Sequence, residues 1–318
     1  MKRKLFVSFS GGRTSAVMTK LIHEKLSDKF DITVVFANTG CEDEATLEFV
    51  ERCDNHFGWN VAWVEAVVTH GARVGVRHKL VDFHSASRKG EPFREVIKKY
   101  GIFNMSNPAC TNRTKTEPMI SYMKSIGFQF GKKLDHLTAI GFRVDEVDRK
   151  SENADNFGYI YPLIKWGWTK RHVAKEIKAW PFDLGIKGDH YGNCKWCWKK
   201  TDRKLYTLAK EDESVFDFPL AMENEFSDKK PEMKNLAPDG KAYFFRGHRS
   251  TEDIKRIAKE VKFVPYTDDP YLHAHDFDPS LDIGGSCGDS CEINPDYMIE
   301  QEFDFMNDYR THNIDMSY

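Results

Sequence analysis

The chain has 318 residues, of which 40% are hydrophobic and 30% are charged, and its formal net charge is -2. This length excludes a small disulfide scaffold and allows a domain of roughly 150 residues or more with substantial additions. The longest apolar runs, such as Ile32 to Ala37, are much shorter than the ~20 residues of a transmembrane helix. Met1 to Lys4 leads into strand-like sequence without the apolar core of a signal peptide. We therefore expect a soluble cytoplasmic protein that makes no membrane contact.

Charge is distributed unevenly along the chain. Residues 165–204 contain 11 Lys and Arg against 4 Asp and Glu, whereas residues 265–318 contain 13 Asp and Glu against one Arg. The basic stretch is suited to contact with phosphate groups, such as those of a nucleic acid, and the acidic end would repel them. A solvated charged surface accounts for either excess equally well.

The N-terminal part alternates strand and helix patterns. Residues 4–9 form a predicted buried strand, which is followed by a Ser/Gly turn and a helix with apolar residues at helical spacing. Further strands are predicted at 32–37, 61–64 and 137–142, and further helices at 44–56, 117–126 and 169–180. This alternation predicts a doubly wound α/β fold with a mainly parallel sheet.

Two segments interrupt the alternation. Residues 69–108 are rich in basic, aromatic and glycine residues, which indicates an insertion near the functional site. Beyond about residue 205 the pattern fades, apart from one helix predicted at 251–261. We therefore divide the chain into a domain at 1–204 and a smaller extension at 205–318 that is acidic at its end.

The strongest motif is Ser10-Gly11-Gly12-Arg13-Thr14-Ser15, placed between the first strand and its helix. Glycines let the backbone approach an anion, and the amides at a helix N-terminus supply positive potential, to which the hydroxyl groups add donors. The loop lacks the Gly-Lys-Ser/Thr ending of a Walker loop and the third glycine of a dinucleotide motif. It favours a pyrophosphate-binding loop, with an ordinary glycine-rich turn and Ser/Thr helix cap as the alternative.

This loop resembles the PP-loop of the N-type ATP pyrophosphatases, and four later segments resemble the branch that contains phosphoadenosine phosphosulfate (PAPS) reductase. In chain order these segments are Phe36–Gly40, Cys110–Arg113 with Glu117-Pro118, Gly141–Arg149, and Tyr161–Trp166 with Thr169 and Cys194–Cys197. Asn38 replaces an acid of the family pattern, and Ala109 replaces its first cysteine. The resemblance covers residues 4 to 204, extends to phage-encoded members and iron-sulfur thiolation enzymes, and implies an adenine nucleotide α-hydrolase-like fold.

The resemblance implies that ATP, with Mg²⁺ as an accompanying ion, is bound by these segments. The implied nucleotide-binding residues are Ser8, Ser10, Gly11, Gly12, Arg13, Thr14, Ser15, Asn38, Thr39, Gly40, Gly141 and Phe142. It also implies catalytic roles for Arg113, Arg143 and Arg149, whose permanent charge and planar donors suit phosphate, sulfate or a leaving pyrophosphate. Each arginine is equally suited to a surface ion pair. We expect Glu146 to hold neighbouring arginines in place.

Seven cysteines in a reducing compartment are expected to be thiols or metal ligands. The Cys194-x-x-Cys197 spacing can chelate a metal, and the family fold implies that Cys110 lies beside this pair. Three such thiolates imply a [4Fe–4S] cluster with one iron open to sulfide, as in the thiolating relatives, unless Cys287 or Cys291 supplies a fourth ligand. Zinc held by the two close cysteine pairs is the alternative, and a site without metal is the third interpretation.

Two other groups of residues are weaker candidates for metal ligands. Cys41, at the start of a loop, and Cys53, inside a helical stretch, are expected to be ordinary buried residues. His273-Ala-His275-Asp276 has the composition of a metal site, but lone surface histidines are commoner.

Three functions are compatible with these motifs. The first is a sulfurtransferase-like enzyme that cleaves ATP to AMP and pyrophosphate to activate an acceptor, either tRNA or DNA, and the intact Gly11-Gly12 and Ser15 favour it. The second is a PAPS or adenylylsulfate reductase, although Ser286-Cys287-Gly288 only partly matches its terminal cysteine motif and lies among acids. The third is a non-catalytic nucleotide-binding interaction protein. A homodimer is the expected assembly.

Overall fold

The computed structural model describes residues 2–69, 75–229, 236–269 and 277–282. Within these ranges a six-stranded sheet has the order β4-β3-β2-β1-β5-β6. Its strands are β1 (Arg3–Ser8), β2 (Phe30–Asn38), β3 (Ala62–Val68), β4 (Val76–Val81), β5 (His136–Ala139) and β6 (Tyr159–Ile160). Strands β1, β2, β3, β5 and β6 run parallel to one another, and the edge strand β4 pairs antiparallel with β3. The predicted α/β fold with a mainly parallel sheet is confirmed.

The helices of the described residues lie on both faces of this sheet and beyond its end. They are α1 (Arg13–Leu26), α2 (Glu44–Phe57), α3 (Glu91–Tyr100), α4 (Glu117–Ser125), α5 (Ala154–Phe157), α6 (Pro162–Lys165), α7 (Lys170–Ile177), α8 (Asp202–Glu211), α9 (Asp217–Phe226), α10 (Thr251–Glu260) and α11 (Pro279–Asp282). A five-residue π-helix, Asn112–Thr116, leads directly into α4. None of the helices in the described ranges is long and apolar enough to span a membrane.

The side chains of β1 alternate between the two faces of the sheet, which explains why helices cover both faces. Leu5 and Val7 pack with α1, α2 and α7 in one buried cluster, whereas Phe6 packs with residues of α4 in another. Successive side chains of a strand point to opposite faces, so a strand that is apolar throughout needs a helix layer on each side. The PP-loop segment therefore emerges from the fully covered centre of the sheet.

Several predicted elements differ in extent from the observed ones. The strand predicted at 137–142 ends at Ala139, because its neighbour β6 has only two residues to pair with. The helix predicted at 169–180 ends at Ile177. Pro181 disfavours helical backbone in the residue before it, which accounts for the early end.

The segments in which the sequence shows no clear strand or helix pattern nevertheless contain strands and helices. Residues 69–108 contribute edge strand β4 and helix α3. Beyond residue 205, α9 occupies a stretch that the sequence analysis left without a helix, and it buries Met222 and Phe226. Helices α3, α8, α9 and α10 share one apolar cluster with Cys110, Cys194 and Cys197.

Candidate functional site

The turn between β1 and α1 is shaped by Gly11 and by two hydroxyl groups. Gly11 has a φ of +77°, and a Cβ there would lie 2.9 Å from Cγ2 of Thr46, so only glycine fits. The Ser15 hydroxyl donates to the Gly12 carbonyl oxygen at 3.0 Å and lies 2.8 Å from the Ser10 hydroxyl. Gly12 is the N-cap of α1 and has no side chain with which to cap the helix amides. These amides are the groups that bind anions at helix N-termini.

A cavity of about 290 Å³ opens beside this turn. Residues 10–14 line one side, and α7 with the segment that follows it lines the other, where Val173, Ile177 and Leu184 are apolar. This volume lies near the lower end of the range for small-molecule sites, about 300–1,000 Å³, and the mixture of apolar wall and convergent polar groups is typical of them.

Arg143 is the predicted catalytic arginine that reaches this cavity. It follows β5, and its Nη1 donates to Oγ1 of Thr14 at 2.8 Å. Its side chain is 6% exposed and pairs with Asp145 at 3.1 Å and with Glu146 at 3.4 Å. The loop and a buried guanidinium are therefore in direct contact.

The other two predicted arginines are engaged elsewhere. Arg149 pairs with Glu146, and its guanidinium lies 4.3 Å from the ring centroid of Phe142. Arg113 pairs with Glu117 and lies 4.3 Å from the ring centroid of Tyr100. Neither is among the described residues that line the cavity.

Glu146 thus contacts both Arg143 and Arg149. This is the holding role that the sequence predicted for it. Because its carboxylate pairs with both guanidinium groups, Glu146 helps to fix the position of Arg143 against the loop.

Further charged residues line the cavity, and apart from Arg13 the sequence analysis did not select the following ones. Arg13 Nε donates to Asp183 at 2.7 Å, and Lys170 Nζ donates to Asp189 at 2.8 Å. The Asp189 amide donates to the Asp268 carboxylate at 3.1 Å. Burial raises the pKa of Asp183, but hydrogen bonds from Arg13 and from the Leu184 amide outweigh it, so this pKa lies below its ordinary value. No local motif marks these acids: Asp183 and Asp189 lie between α7 and α8, and Asp268 lies far along the chain from both.

The remaining predicted nucleotide-binding residues occupy other environments. Asn38 and Thr39 are fully buried: Asn38 donates to Glu65 at 2.7 Å, and Thr39 donates through its hydroxyl to Glu42 at 2.8 Å. Gly40 approaches the Gly90 backbone, where a Cβ would lie 2.9 Å from the Gly90 nitrogen. Ser8, Asn38, Thr39, Gly40, Gly141 and Phe142 are not among the described residues that line the cavity.

Cys110, Cys194 and Cys197 line a second, much smaller pocket of about 20 Å³. Cys110 lies two residues before the π-helix, a distortion frequent at functional sites. Cys194 and Cys197 bracket a tight turn in which the Cys197 amide donates to the Cys194 carbonyl oxygen at 3.0 Å. The structure therefore brings together the three cysteines that the resemblance had implied as a set.

The pocket combines buried thiols with buried charge. Burial raises the pKa of Cys194, as does the nearby Glu42, while the Lys115 ammonium lowers it. Lys115 Nζ lies 3.4 Å from Oε1 of Glu42, and both side chains are almost completely buried. Burial and Glu42 outweigh Lys115, so the pKa of the Cys194 thiol lies well above its ordinary value.

The cysteine pocket has no preformed metal site in the part of the chain that the structure describes. Within the described ranges no group of three or more His, Cys, Asp or Glu side chains is arranged to hold one metal ion. At about 20 Å³ the pocket has room for roughly one water, so its lining side chains must move apart to admit a cluster. Cys287, Cys291 and the His273–Asp276 fragment lie outside the described residues.

The cavity and the cysteine pocket share Asn193, which lines both. The loop at residues 10–14 and the three thiols are consequently neighbours.

Comparisons with known proteins identify the family of the chain. The profile of the phosphoadenosine phosphosulfate reductase domain matches residues 4–175, and the chain belongs to this family. It is 29% identical over 304 residues to the uncharacterized nin region protein ORF290 of Escherichia phage lambda, covering 94% of this chain and 97% of that protein. The predicted membership of the PAPS reductase-like branch is confirmed.

Two further relatives match parts of the chain. Uncharacterized protein MJ0066 of Methanocaldococcus jannaschii is 30% identical over 124 residues, which are 39% of this chain and 20% of that protein. A crystal structure of PAPS reductase from Candida auris, in complex with phosphate, aligns with a TM-score of 0.36 and 17% identity over 56% of this chain and 74% of that chain.

Proposed function

We propose that the chain cleaves ATP to AMP and pyrophosphate in order to activate an acceptor, which then receives sulfur. The observation that carries this proposal is the cavity in which the uncapped N-terminus of α1 and the Arg143 guanidinium meet at residues 10–14. Backbone amides and a fixed guanidinium together form an environment for the charge of a leaving pyrophosphate.

The activation step needs only groups that lie at this cavity. An oxygen of the acceptor forms a bond to the α-phosphorus of ATP, and the bond between that phosphorus and the bridging oxygen breaks. Pyrophosphate leaves with the bonding electrons, and Arg143 stabilises the negative charge that grows on it. Mg²⁺ accompanies the phosphates, as it commonly does in phosphoryl transfer.

The cysteine pocket supports the sulfur-transfer part of the proposal. In this proposal Cys110, Cys194 and Cys197 would hold a [4Fe–4S] cluster, which would supply the sulfur nucleophile that displaces AMP. The alternative is zinc held by Cys194 and Cys197 together with Cys287 and Cys291. Lys115 offsets part of the negative charge of the thiolates. Because Asn193 borders both pockets, an activated acceptor at the loop is close to the thiols.

A nucleic acid is the proposed acceptor. Lys170 and Lys178 line the cavity at the two ends of α7, and Arg171 and Lys175 are exposed on the same helix. A basic surface at the entrance to the cavity suits a phosphate backbone from which one nucleotide enters the site.

The second candidate is a PAPS reductase, and the family match favours it. In that reaction a thiol attacks the sulfate sulfur and sulfite is eventually released, with no cleavage of ATP. Both candidates use a nucleotide in the same cavity, so binding alone does not separate them.

The test compares the two products under anaerobic, reducing conditions. The purified chain is incubated with Mg²⁺ and ATP in the presence of bulk tRNA or DNA, and in parallel with PAPS and a dithiol. We expect AMP and pyrophosphate from ATP, a loss of about 10- to 100-fold in Arg143→Gln because charged hydrogen bonds are lost, and a smaller loss in the matched control Arg149→Gln. Sulfite from PAPS without AMP from ATP would replace this proposal by the reductase.

A further inference from the structure

Asp145 contacts the Arg143 guanidinium from outside the cavity. Its Oδ2 accepts hydrogen bonds from Arg143 Nε at 3.2 Å and from Arg143 Nη2 at 3.1 Å, whereas Arg143 Nη1 donates to Oγ1 of Thr14 in the loop. Asp145 itself is not among the described residues that line the cavity. A carboxylate that binds two nitrogens of a planar guanidinium fixes the plane of that group. Asp145 therefore holds the orientation in which Nη1 points at the loop.

The same carboxylate also contacts helix α7. Its Oδ1 accepts from the Lys170 backbone amide at 3.1 Å, and Lys170 is the first residue of that helix. The first amides of a helix have no partner within the helix, so a carboxylate from outside satisfies one of them and interacts favourably with the positive end of the helix. The Val144 amide also donates to the Trp168 carbonyl oxygen at 2.9 Å, which joins the same two segments. Asp145 thus connects Arg143 to the wall of the cavity that α7 provides.

The pair of Asp145 and Arg143 is charged on both sides. Burial raises the pKa of Asp145, but the hydrogen bond and the charge of Arg143 outweigh it, so this pKa lies below its ordinary value. Asp145 is therefore ionised near neutral pH, where hydrogen bonds between charged groups are stronger than neutral ones. Glu146, the other carboxylate at Arg143, is shared with Arg149.

We propose that Asp145 is a positioning residue that orients Arg143 toward the loop and fixes it relative to α7. This inference rests on the proposed function, because the charge that Arg143 stabilises there is that of the leaving pyrophosphate. Interactions that act only in the transition state raise the rate of the chemical step without tightening the binding of the substrate. The loss of Asp145 should therefore slow the cleavage of ATP and leave its binding intact.

The test is Asp145→Asn, which keeps the shape of the side chain and removes its charge. ATP binding to the full chain is measured by calorimetry, and the rate of AMP formation is measured at saturating ATP with Mg²⁺ and bulk tRNA or DNA. The matched control is Asp148→Asn, because Asp148 is exposed in the same short helical segment, Val144–Arg149, and is not among the described residues that line the cavity.

We expect Asp145→Asn to form AMP about three- to tenfold more slowly, and Asp148→Asn to match the wild type. A fully buried charged hydrogen bond would give a larger loss, but the Asp145 side chain is 42% exposed. ATP binding should not weaken, since a negative charge near the phosphates is removed. In an Arg143→Gln background the same change should slow AMP formation by less than about twofold, because Asp145 acts through Arg143.

Two results overturn the inference while the proposed function stands. One is an unchanged rate of AMP formation in Asp145→Asn. The other is an equal loss of rate and of ATP affinity together with a lower melting temperature, which would mean that Asp145 only stabilises the fold.

A second measurement decides the inference where the wild-type chain forms no AMP, which overturns the proposed function, or where Asp145→Asn does not fold. Hydrogen exchange of the Lys170 amide is followed by nuclear magnetic resonance in wild type, Arg143→Gln and Arg149→Gln. Because Arg143 holds the carboxylate that accepts from this amide, Arg143→Gln should speed its exchange by about threefold or more, and Arg149→Gln should leave it unchanged. Equal exchange in all three chains overturns the inference.

Discussion

Asn193 and Cys194 are consecutive residues at the junction of two pockets. Asn193 lines both the cavity beside residues 10–14 and the cysteine pocket, and Cys194 contributes its thiol to the latter. Asn193 has a φ of +60°, a left-handed conformation that asparagine adopts more readily than most residues. The turn at this residue carries the chain from one pocket into the other. In the proposed function, sulfur therefore has a short distance to travel to an acceptor activated at the loop.

The first prediction separates binding from folding at the two loop glycines. Gly12 has a φ of -96°, which any residue adopts, and it lines the cavity. We expect Gly12→Val to retain the wild-type melting temperature and to lose ATP binding in calorimetry, because its side chain takes the space of the phosphates. Gly11→Ala should instead lower the free energy of unfolding by about 1 kcal/mol or more, because Gly11 has a positive φ and no room for a Cβ. If Gly12→Val bound ATP as tightly as the wild type, the loop would not be part of the ATP-binding site.

The second prediction concerns a carboxylate contributed by the C-terminal extension. Asp268 lines the cavity and accepts a hydrogen bond from the Asp189 amide, so a negative charge faces the space assigned to phosphates. We expect Asp268→Asn to tighten ATP binding by about fivefold in low salt without added Mg²⁺, because a repulsion of roughly 1 kcal/mol is removed.

The neighbouring Asp269→Asn is the matched control, since Asp269 is exposed and is not among the described residues that line the cavity. The effect of Asp268→Asn should shrink at high salt, where exposed charges are screened. Equal effects of the two variants at every salt concentration would mean that Asp268 does not act on the nucleotide.

The third prediction concerns stability and pH. Glu223 on α9 is buried and accepts hydrogen bonds from the Phe244 amide at 3.0 Å and the Thr251 amide at 2.8 Å. Burial raises its pKa from 4.5 to about 7, although these hydrogen bonds partly oppose the rise. Between pH 4.5 and about 7 the folded chain therefore binds more protons than the unfolded chain. The contribution of Glu223 to stability consequently falls as pH rises through this range, by about 3 kcal/mol in total.

The measurement is urea unfolding from pH 4.5 to 7.5 in wild type and in Glu223→Gln. We expect the variant to lose this part of the pH dependence, whatever its absolute stability, because an amide does not titrate. Glu152→Gln is the control, since Glu152 is exposed. Parallel stability profiles for wild type and Glu223→Gln would contradict the assignment.

The sequence predicts those parts of the site that are defined by a pattern of neighbouring residues. The loop at residues 10–15 combines a strand, glycines and a helix start within a few residues, so its position is legible from the sequence. Asp183, Asp189 and Asp268 reach the same cavity from irregular segments, and only the folded chain brings them near Arg13 and Lys170. Their charges could not be assigned to the site from spacing alone.

Helices α8 and α9 were missed for a related reason. Their apolar residues face a second core built with α3 and the cysteines, not the sheet whose alternating strands guided the analysis. Asn38 was implied as a nucleotide-binding residue by its place in a family motif. The structure places it against Glu65 and the Ser87 carbonyl oxygen, contacts between segments distant in sequence that no motif encodes.

The last prediction concerns the occupant of the cysteine pocket. We expect anaerobically purified chain to contain iron and acid-labile sulfide, and to lose both in Cys110→Ser and in Cys194→Ser, because hydroxyl oxygen is a poor ligand for a cluster that thiolates hold. Cys53→Ser is the control: Cys53 is a buried cysteine of the other core, so this variant should retain the metal even where its stability falls.

Iron, zinc and sulfide are measured per chain, together with the visible absorption. Stoichiometric zinc without sulfide, dependent on Cys287 and Cys291 but not on Cys110, would establish the zinc alternative. If Cys110→Ser and Cys194→Ser lose iron while Cys53→Ser retains it, the cluster is bound in the pocket beside Asn193. The reason is that only the thiols lining this pocket would then be required for iron binding.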